Sequence, residues 1–165
     1  MTYDYEAIIV GGRVAGSHLA ARLAKYGFSV LLLERDEFPS LPAVSSPIIF
    51  SATMQLLDEI GADEASYAKN TPRLRQMMAV AGGEEININL PEYQGRDYAY
   101  AIDRARFDAS LWDTAMDYNS VEGRQNFSVT DLIWENERVV GVIGKEKGGA
   151  EERFTAKTVI GADGR

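Results

Sequence analysis

The sequence predicts an α/β fold with a parallel central sheet, a β-meander as one crossover, and a small antiparallel excursion from a second sheet. Three observations support this prediction. Residues 5–34 read as strand, glycine turn, helix and second strand. Residues 127–156 contain three strand-like runs separated by turn residues, and residues 74–100 alternate like a hairpin. Strands that alternate with helices favour a parallel sheet, whereas short adjacent strands favour antiparallel pairs.

The opening unit predicts a Rossmann-like nucleotide-binding site. The apolar run at residues 5–10 is typical of a strand buried on both faces. A helical pattern comes next, and a second apolar run of the same kind follows it at residues 28–33. The helix N-terminus then meets the carboxyl end of a parallel strand, where backbone N–H groups bind a phosphate or pyrophosphate. Glu34 lies 18 residues after Gly16. This is close to the offset of about 20 residues at which an acid accepts hydrogen bonds from an adenosine ribose.

The glycine turn departs from the usual Gly-x-Gly-x-x-Gly pattern at one position. It reads GGRVAG over residues 11–16, so that Arg13 stands where the middle glycine is expected. Arg13 either lies beside the pyrophosphate and supplies positive charge, or points to solvent, and the sequence leaves both possibilities open. We expect Gly16 to let the helix approach the strand closely.

The next segment is predicted to be a long loop followed by a second helix. Three prolines within residues 39–47 disfavour a regular element. Ser45 and Ser46 are candidates for a helix cap or for cofactor contacts. The helix is predicted over residues 50–60, where apolar side chains recur on one face.

Residues 74–100 are predicted to leave the nucleotide domain. Two arms joined by a Gly-Gly turn alternate apolar with polar side chains, and the segment YAYAI returns as a strand. Such a patch is foreign to a doubly wound domain, so we assign residues 1–73 and 101–165 to the nucleotide domain. The apolar face of the excursion has no later strand in this chain with which to pair. We therefore expect the remainder of a longer parent chain to pack on residues 74–100.

The second half of the chain is predicted to contain one helix and the meander. The helix covers residues 104–118, and residues 121–126 are predicted to be a short connecting segment. The three meander strands follow. A separate short buried strand is predicted at residues 158–160, and the chain then enters a loop at Asp163-Gly164.

Several conspicuous side chains have no predicted functional role. His18, the only histidine, is predicted on the outward helix face, which argues against a histidine-based triad or metal centre. Trp112 and Trp134 are predicted to be core residues. Four acids are predicted to form a solvated surface: Asp58, Glu59, Asp63 and Glu64.

Composition excludes several classes of site and partner. The chain has 165 residues, 45% of them apolar, which fits a globular fold. It contains no cysteine, which excludes disulfides, iron–sulfur clusters and a cysteine nucleophile. A net charge of −8 disfavours nucleic acid or an anionic membrane as a partner. No basic leader or apolar run of about 20 residues is found, so we expect a cytoplasmic protein without an integral membrane segment.

The order of these elements resembles the FAD-binding fold of the p-hydroxybenzoate hydroxylase type. It is most similar to FAD-dependent monooxygenases and geranylgeranyl-reductase-like proteins, in many of which the turn reads GARxAG. Arg13 therefore fits a variant of that family. YAYAIDRARFDASLW is similar to the family's DRxxFDxxL segment, FSVTDLIWENERVVGVIGKEKGG to its meander, and TVIGADGR to the start of its DG segment. The family's later GD segment has no counterpart, so the chain looks like the first part of a longer protein.

The resemblance implies cofactor contacts but no catalytic residue. Glu34 would bind the adenosine ribose, and Arg104 would lie near the pyrophosphate or ribityl chain. Val129 would contact adenine through its backbone, and Asp163 with Gly164 would lie near the flavin. The full set implied to bind FAD is Gly11, Gly12, Arg13, Val14, Ala15, Gly16, Glu34, Arg35, Ser46, Arg104, Val129, Asp163 and Gly164.

The function implied first is the FAD-binding portion of an NAD(P)H-dependent monooxygenase that acts on a small organic substrate. The flavin would carry the chemistry, which agrees with the lack of an evident acid–base pair. An isoprenoid double-bond reductase or a flavin halogenase is an alternative on the same fold. A stand-alone nucleotide-binding module is a further alternative. An NAD-dependent dehydrogenase is disfavoured by the meander and GADGR.

Overall fold

The computed structural model describes residues 2–41 and 46–164. Within these ranges, ten strands and four helices follow one another along the chain. In order they are β1 (Tyr5–Val10), α1 (Val14–Lys25), β2 (Val30–Leu33), β3 (Ile48–Ile49), α2 (Ser51–Glu59), α3 (Glu64–Ala68), β4 (Gln76–Ala81), β5 (Glu84–Asn89), β6 (Tyr100–Ala101), α4 (Arg104–Met116), β7 (Val121–Arg124), β8 (Phe127–Glu135), β9 (Arg138–Glu146) and β10 (Glu152–Gly161).

The main sheet has six strands in the order β7-β2-β1-β10-β9-β8. β1 pairs in parallel with β2 on one side and with β10 on the other, and β7 pairs in parallel with β2. β9 pairs antiparallel with both β10 and β8. The predicted fold class, a parallel sheet with a meander as one crossover, is thus confirmed.

β10 belongs to both parts of this sheet. Residues 152–155 pair antiparallel with β9, and residues 156–161 pair in parallel with β1. The prediction of a meander strand followed by a separate strand at 158–160 was wrong, because no turn interrupts the extended backbone between them. The short segment at 121–126 was given no secondary structure from the sequence. Its first four residues form β7, which is too short to show a periodic pattern.

Two cores lie on opposite faces of the sheet, because successive side chains of a strand point to opposite sides. Ile9 and Leu32 face the helices, where they join a cluster that includes Phe107. Ile8 and Leu31 face the meander, where they join a cluster that includes Phe127. All are almost fully buried, and each contributes about 1.5–3 kcal/mol by leaving water.

The helices follow the predicted patterns except for α3, and one of the two predicted core tryptophans is exposed. The predicted inner face of α2 is buried as expected, whereas the five-residue helix α3 was not predicted. Trp112 on α4 is buried, with 5% of its surface exposed, but Trp134 on β8 is 61% exposed. The prediction of Trp134 as a core residue was therefore wrong, since it lies in a strand at the edge of the sheet. Within the ranges given above, no helix combines the length and apolar character needed to cross a membrane.

The hairpin of β4 and β5 extends from the rest of the described chain. Its strands pair across a Gly82-Gly83 turn, and every residue of both strands is exposed. The predicted YAYAI strand is shorter than expected, and as β6 it pairs with β3 rather than with the hairpin. The assignment of residues 74–100 to a second domain stays a prediction.

Glu64 anchors the base of the excursion and is not the solvated acid that was predicted. The hydroxyls of Tyr98 and Tyr100 donate hydrogen bonds to Glu64 Oε1 at 2.9 and 2.8 Å, and Arg96 Nη2 donates to Oε2 at 3.1 Å. Burial alone would raise the pKa of Glu64. The hydrogen bonds from the two tyrosines, together with the charges of Arg96 and Arg73, outweigh that effect and hold this pKa below its usual range.

Candidate functional site

The carboxyl ends of the parallel strands bring three loops together at one edge of the sheet. These loops follow β1, β2 and β10, and they begin at Gly11, Glu34 and Ala162. The N–H of Gly11 donates to Leu33 O at 2.7 Å, and the N–H of Ala162 donates to Val10 O at 2.7 Å. Open α/β sheets bind ligands at this edge, so it is the candidate site.

The glycine turn is packed too tightly to accept side chains. Gly11 has φ +104°, and a Cβ there would lie 2.6 Å from the backbone N of Asp163. A Cβ on Gly16 would lie 1.7 Å from Gly11 O, and one on Gly12 would lie 2.6 Å from Cζ3 of Trp112. The close approach predicted for Gly16 is therefore present, and Trp112 forms the floor of the turn.

Helix α1 starts at this turn with its first N–H groups uncapped by any side chain of the described residues. Its N-cap is Arg13, whose side chain makes no capping hydrogen bond. The first N–H groups of a helix have no partner within the helix, and together with the helix dipole they favour an anion. These groups include the backbone of Val14 and Ala15, which lie in the first turn. The turn therefore offers a phosphate-sized anion a set of oriented backbone donors.

Glu34 is a buried acid at the end of β2, with 4% of its surface exposed. Its Oε2 accepts from the N–H of Gly12 at 2.7 Å, and its Oε1 accepts from the N–H of Asp36 at 3.0 Å. A carboxylate has about four acceptor sites, so capacity remains for hydroxyl donors. The geometry suits a carboxylate that supports the glycine turn and accepts from a ribose.

The Arg13 side chain is turned into the protein rather than to solvent, with 20% of its surface exposed, and its place beside the pyrophosphate stays a prediction. Its Nη1 donates to Asp108 Oδ2 at 2.9 Å and to Ser40 O at 3.0 Å, while its Nη2 donates to Asp36 Oδ2 at 2.9 Å and to Ser40 Oγ at 3.0 Å. Burial alone would lower the pKa of the Arg13 guanidinium. The hydrogen bonds to Asp108 and Asp36 outweigh that effect and raise it. Arg13 thus ties the loop after β2 to helix α4.

Arg104 meets the same buried carboxylate. It is the first residue of α4, directly after the N-cap Asp103. Its Nε donates to Asp108 Oδ1 at 2.9 Å, its Nη2 donates to Oδ2 at 3.1 Å, and its Nη1 donates to Ser46 O at 3.4 Å. The structure therefore places Arg104 beside Ser46, in the segment that leads into β3.

The other predicted contact residues, which lie around this edge of the sheet, make fewer side-chain contacts. Arg35 is largely exposed, with only a 4.0 Å approach of its Nε to Asp36. Ser46 Oγ accepts from the N–H of Ile48 at 3.3 Å, so Ser46 does not cap α2, whose N-cap is Phe50. Ser45 lies outside the described residues.

Val129, Asp163 and Gly164 complete the predicted set. Val129 is a half-buried residue of β8 opposite Gly144, two residues after Phe127, whose N–H donates to Glu34 O at 2.9 Å. Asp163 and Gly164 follow β10, and the backbone N of Asp163 lies against Gly11. The role of each predicted contact residue stays a prediction.

Sequence reasoning missed the acids that organise the arginines. Asp108 is fully buried and contacts both Arg13 and Arg104, and Asp36 and Ser40 hold the other side of Arg13. The i,i+4 spacing of Arg104 and Asp108 was a visible signal. The pairing of Arg13 with Asp108, 95 residues apart, had none. Across residues 2–41 and 46–164, no group of three or more histidines and acids could hold a metal ion.

Comparison with known proteins finds one family along nearly the whole chain. The FAD binding domain family matches residues 4–165. The 3-hydroxybenzoate 6-hydroxylase of Klebsiella oxytoca is 32% identical over 96% of this chain and 40% of its own length. Among solved structures, the myxobacterial chondrochloren halogenase CndH has a TM-score of 0.84 and 27% identity, and the match covers 97% of this chain and 37% of the halogenase.

A third relative represents another chemistry. A geranylgeranyl bacteriochlorophyll reductase-like protein of Thermoplasma acidophilum has a TM-score of 0.79 and 25% identity, over 97% of this chain and 39% of its own. The chain thus spans about 40% of the length of these relatives. The resemblance drawn from the motifs is confirmed, and the chain belongs to the FAD-binding domain family.

Proposed function

We propose that this chain binds FAD at the carboxyl edge of its parallel sheet, and that the protein is an NAD(P)H-dependent monooxygenase acting on a small organic molecule. One observation carries the proposal. The turn before α1 has no room for a Cβ at Gly11 or Gly16, and it lies against the buried carboxylate of Glu34. This is the arrangement that an ADP moiety requires, with backbone donors for the pyrophosphate and an acid for the ribose.

Each loop at the edge has a part in this proposal. The open N–H groups in the first turn of α1, which include those of Val14 and Ala15, hold the pyrophosphate, and Glu34 accepts from the ribose hydroxyls. Arg35 and Val129 lie on the adenine side. Ser46 and Arg104 lie along the path toward the flavin, and the loop at 163–164 lies beside it. FAD supplies the redox chemistry when bound, so the residues of this chain bind it, orient it and keep water from it.

The choice of monooxygenase rests on the hydroxylase relative, which is the most similar in sequence of the three described above. A flavin halogenase is the second candidate, favoured by the TM-score of 0.84 with CndH, and an isoprenoid reductase is the third. All three use the same FAD site, so the site does not discriminate between them. A stand-alone module without catalysis would retain the same binding. A cytoplasmic location stays a prediction.

We also propose that the hairpin packs on a further part of the protein. Met77, Ile86 and Ile88 share one face of the paired strands and are 37%, 51% and 44% exposed. An exposed apolar face on a two-stranded ribbon is unstable on its own and favours a partner sheet. The chain spans about 40% of its relatives, which leaves room in such proteins for strands that would cover this face.

The test of the proposed function is a titration of the purified chain with FAD, in which flavin fluorescence reports binding. NAD serves as the matched competitor. We expect saturable binding of one FAD per chain, competition by ADP and negligible binding of NAD. Absence of FAD binding, or tighter binding of NAD than of FAD, would contradict the proposal. Oxidation of NADPH by the FAD-loaded chain, monitored by absorbance, separates an active enzyme from a binding module.

A further inference from the structure

We propose that Asp108 is a positioning residue of the dinucleotide site. It orients the guanidinium of Arg104 toward the ligand, and it holds the guanidinium of Arg13 in the contacts that join the loop after β2 to α4. The inference rests on the proposed function, because it concerns how the same site receives FAD. The DRxxFDxxL segment contains Asp108, but neither that motif nor the family match assigns the residue a role.

Asp108 is a buried carboxylate. Its side chain is 0% exposed, and a buried carboxylate is stable only when it is paired and hydrogen-bonded. Arg104 and Arg13 provide this pairing from two different helix starts. The carboxylate is thus the one group that both cations share, and its position sets theirs.

Arg104 contacts Asp108 through two of its nitrogens. Nε and Nη2 form a fork on the two oxygens of Asp108 at 2.9 and 3.1 Å. A bidentate fork fixes the plane of the guanidinium as well as its distance. The Arg104 side chain is 15% exposed, and three of its five N–H groups have partners among residues 2–41 and 46–164. The edge of the guanidinium opposite Asp108 therefore keeps donor capacity for a phosphate oxygen.

Arg13 differs from Arg104 in how its donors are used. Its Nη1 donates to Asp108 and to the backbone of Ser40, and its Nη2 donates to Asp36, to the side chain of Ser40 and, at 3.5 Å, to Leu41 O. Its donors are thus used to close the loop after β2 onto α4. Of the two arginines, Arg104 is the one that Asp108 leaves able to bind an anion.

The test is a double-mutant cycle on FAD affinity with Asp108→Asn, Arg104→Gln and the double variant. Asp113→Asn is the control, because it makes the same chemical change at an exposed position of the same helix. We expect the first two variants each to bind FAD about 10-fold more weakly, since each breaks a charge-assisted contact. The double variant should lie within about twofold of Arg104→Gln, because Asp108 acts on the ligand through Arg104, whereas Arg13 keeps its hydrogen bonds to Asp36 and Ser40.

A second readout separates positioning from a general structural role. Asp108→Asn should weaken ADP as much as FAD and leave the affinity for adenosine, measured by ligand-observed NMR, within about twofold. Equal losses for ADP and adenosine, or additive losses in the cycle, would overturn the inference. If Asp108→Asn does not fold, Arg104→Lys replaces it. Lysine retains the charge but cannot form the fork, so FAD affinity within twofold of wild type would overturn the inference.

The wild-type chain distinguishes the two proposals. If it does not bind FAD, the proposed function fails and this inference fails with it. If it binds FAD and Asp108→Asn binds equally well, the inference alone fails.

Discussion

Replacement of Gly16 by alanine tests the packing on which the site depends. An alanine inside a helix ordinarily stabilises it by up to about 1 kcal/mol relative to glycine. Here we expect the opposite sign. The new Cβ would lie 1.7 Å from Gly11 O, whereas real Cβ atoms essentially never approach a neighbour within 3.0 Å. Helix α1 and the end of β1 must therefore separate by about 1.3 Å, the difference between these two distances.

The expected loss in the free energy of unfolding depends on how far Gly11 O can move away from the new Cβ. The neighbour is a backbone carbonyl at the end of the central strand, so it cannot rotate away as a flexible side chain would. Overpacking of this kind costs about 1–3 kcal/mol, and occasionally more. We expect a net loss of about 2 kcal/mol in the free energy of unfolding, which lowers Tm by about 4–8 °C for a chain of this size.

The assay combines urea unfolding, followed by circular dichroism, with an FAD titration. We expect Gly16→Ala to bind FAD at least about 10-fold more weakly, because the backbone donors of the turn move with the helix. The matched control is Gly149→Ala, which adds the same methyl where the nearest atom lies 3.4 Å away. If Gly16→Ala proved as stable as this control and bound FAD within twofold of wild type, the reasoning about the turn would be refuted.

Three further predictions concern Glu34, Glu64 and Ile86. Glu34→Ala should lower the free energy of unfolding by about 1–3 kcal/mol in a urea titration, because the N–H of Gly12 loses its acceptor, whereas exposed Glu37→Ala should change it by less than about 0.5 kcal/mol. In the folded chain the pKa of Glu64 lies below its ordinary value of 4.5. The ionised carboxylate therefore stabilises the fold above pH 4.5, and this contribution is lost as the pH falls through the lowered pKa. Glu64→Gln should therefore lose less stability than wild type between pH 6 and pH 3.5 in parallel urea titrations, and an equal loss would contradict the network. Ile86→Ser should leave the Tm of this chain within about 2 °C, because the residue is 51% exposed, and a larger drop would show that the hairpin packs within the chain.

Local sequence patterns were sufficient to predict the elements in which buried residues recur at regular spacing. The first strand was predicted to the residue, and the first helix was predicted between the glycine turn and the second strand, where it lies. In both elements the apolar residues in the sequence pattern face the neighbouring layer of the fold. The predicted turn between the first two strand-like runs of residues 127–156 lies at Asn136 and Glu137. Both residues have positive φ, 47° and 65°, in the two-residue hairpin between β8 and β9.

The remaining features depend on contacts distant in sequence. β7 is a strand because Val121–Arg124 pairs with β2, and nothing within those four residues indicates it. Glu64 is drawn from the surface by Arg96, Tyr98 and Tyr100, more than 30 residues later. The same holds for Arg13 and Asp108. Polar networks of this kind form between elements, so a pattern read along one element does not reveal them.

The measurement that tests the central claim most directly is an NMR titration of the isotopically labelled chain with ADP. We predict that the largest backbone amide shifts fall on residues 11–16 and on Glu34 and Arg35, which meet at the carboxyl edge of the sheet. The exposed hairpin of β4 and β5 serves as the internal reference and should not shift. Shifts concentrated on the hairpin, or none at the glycine turn at saturating ADP, would contradict the assignment of the site.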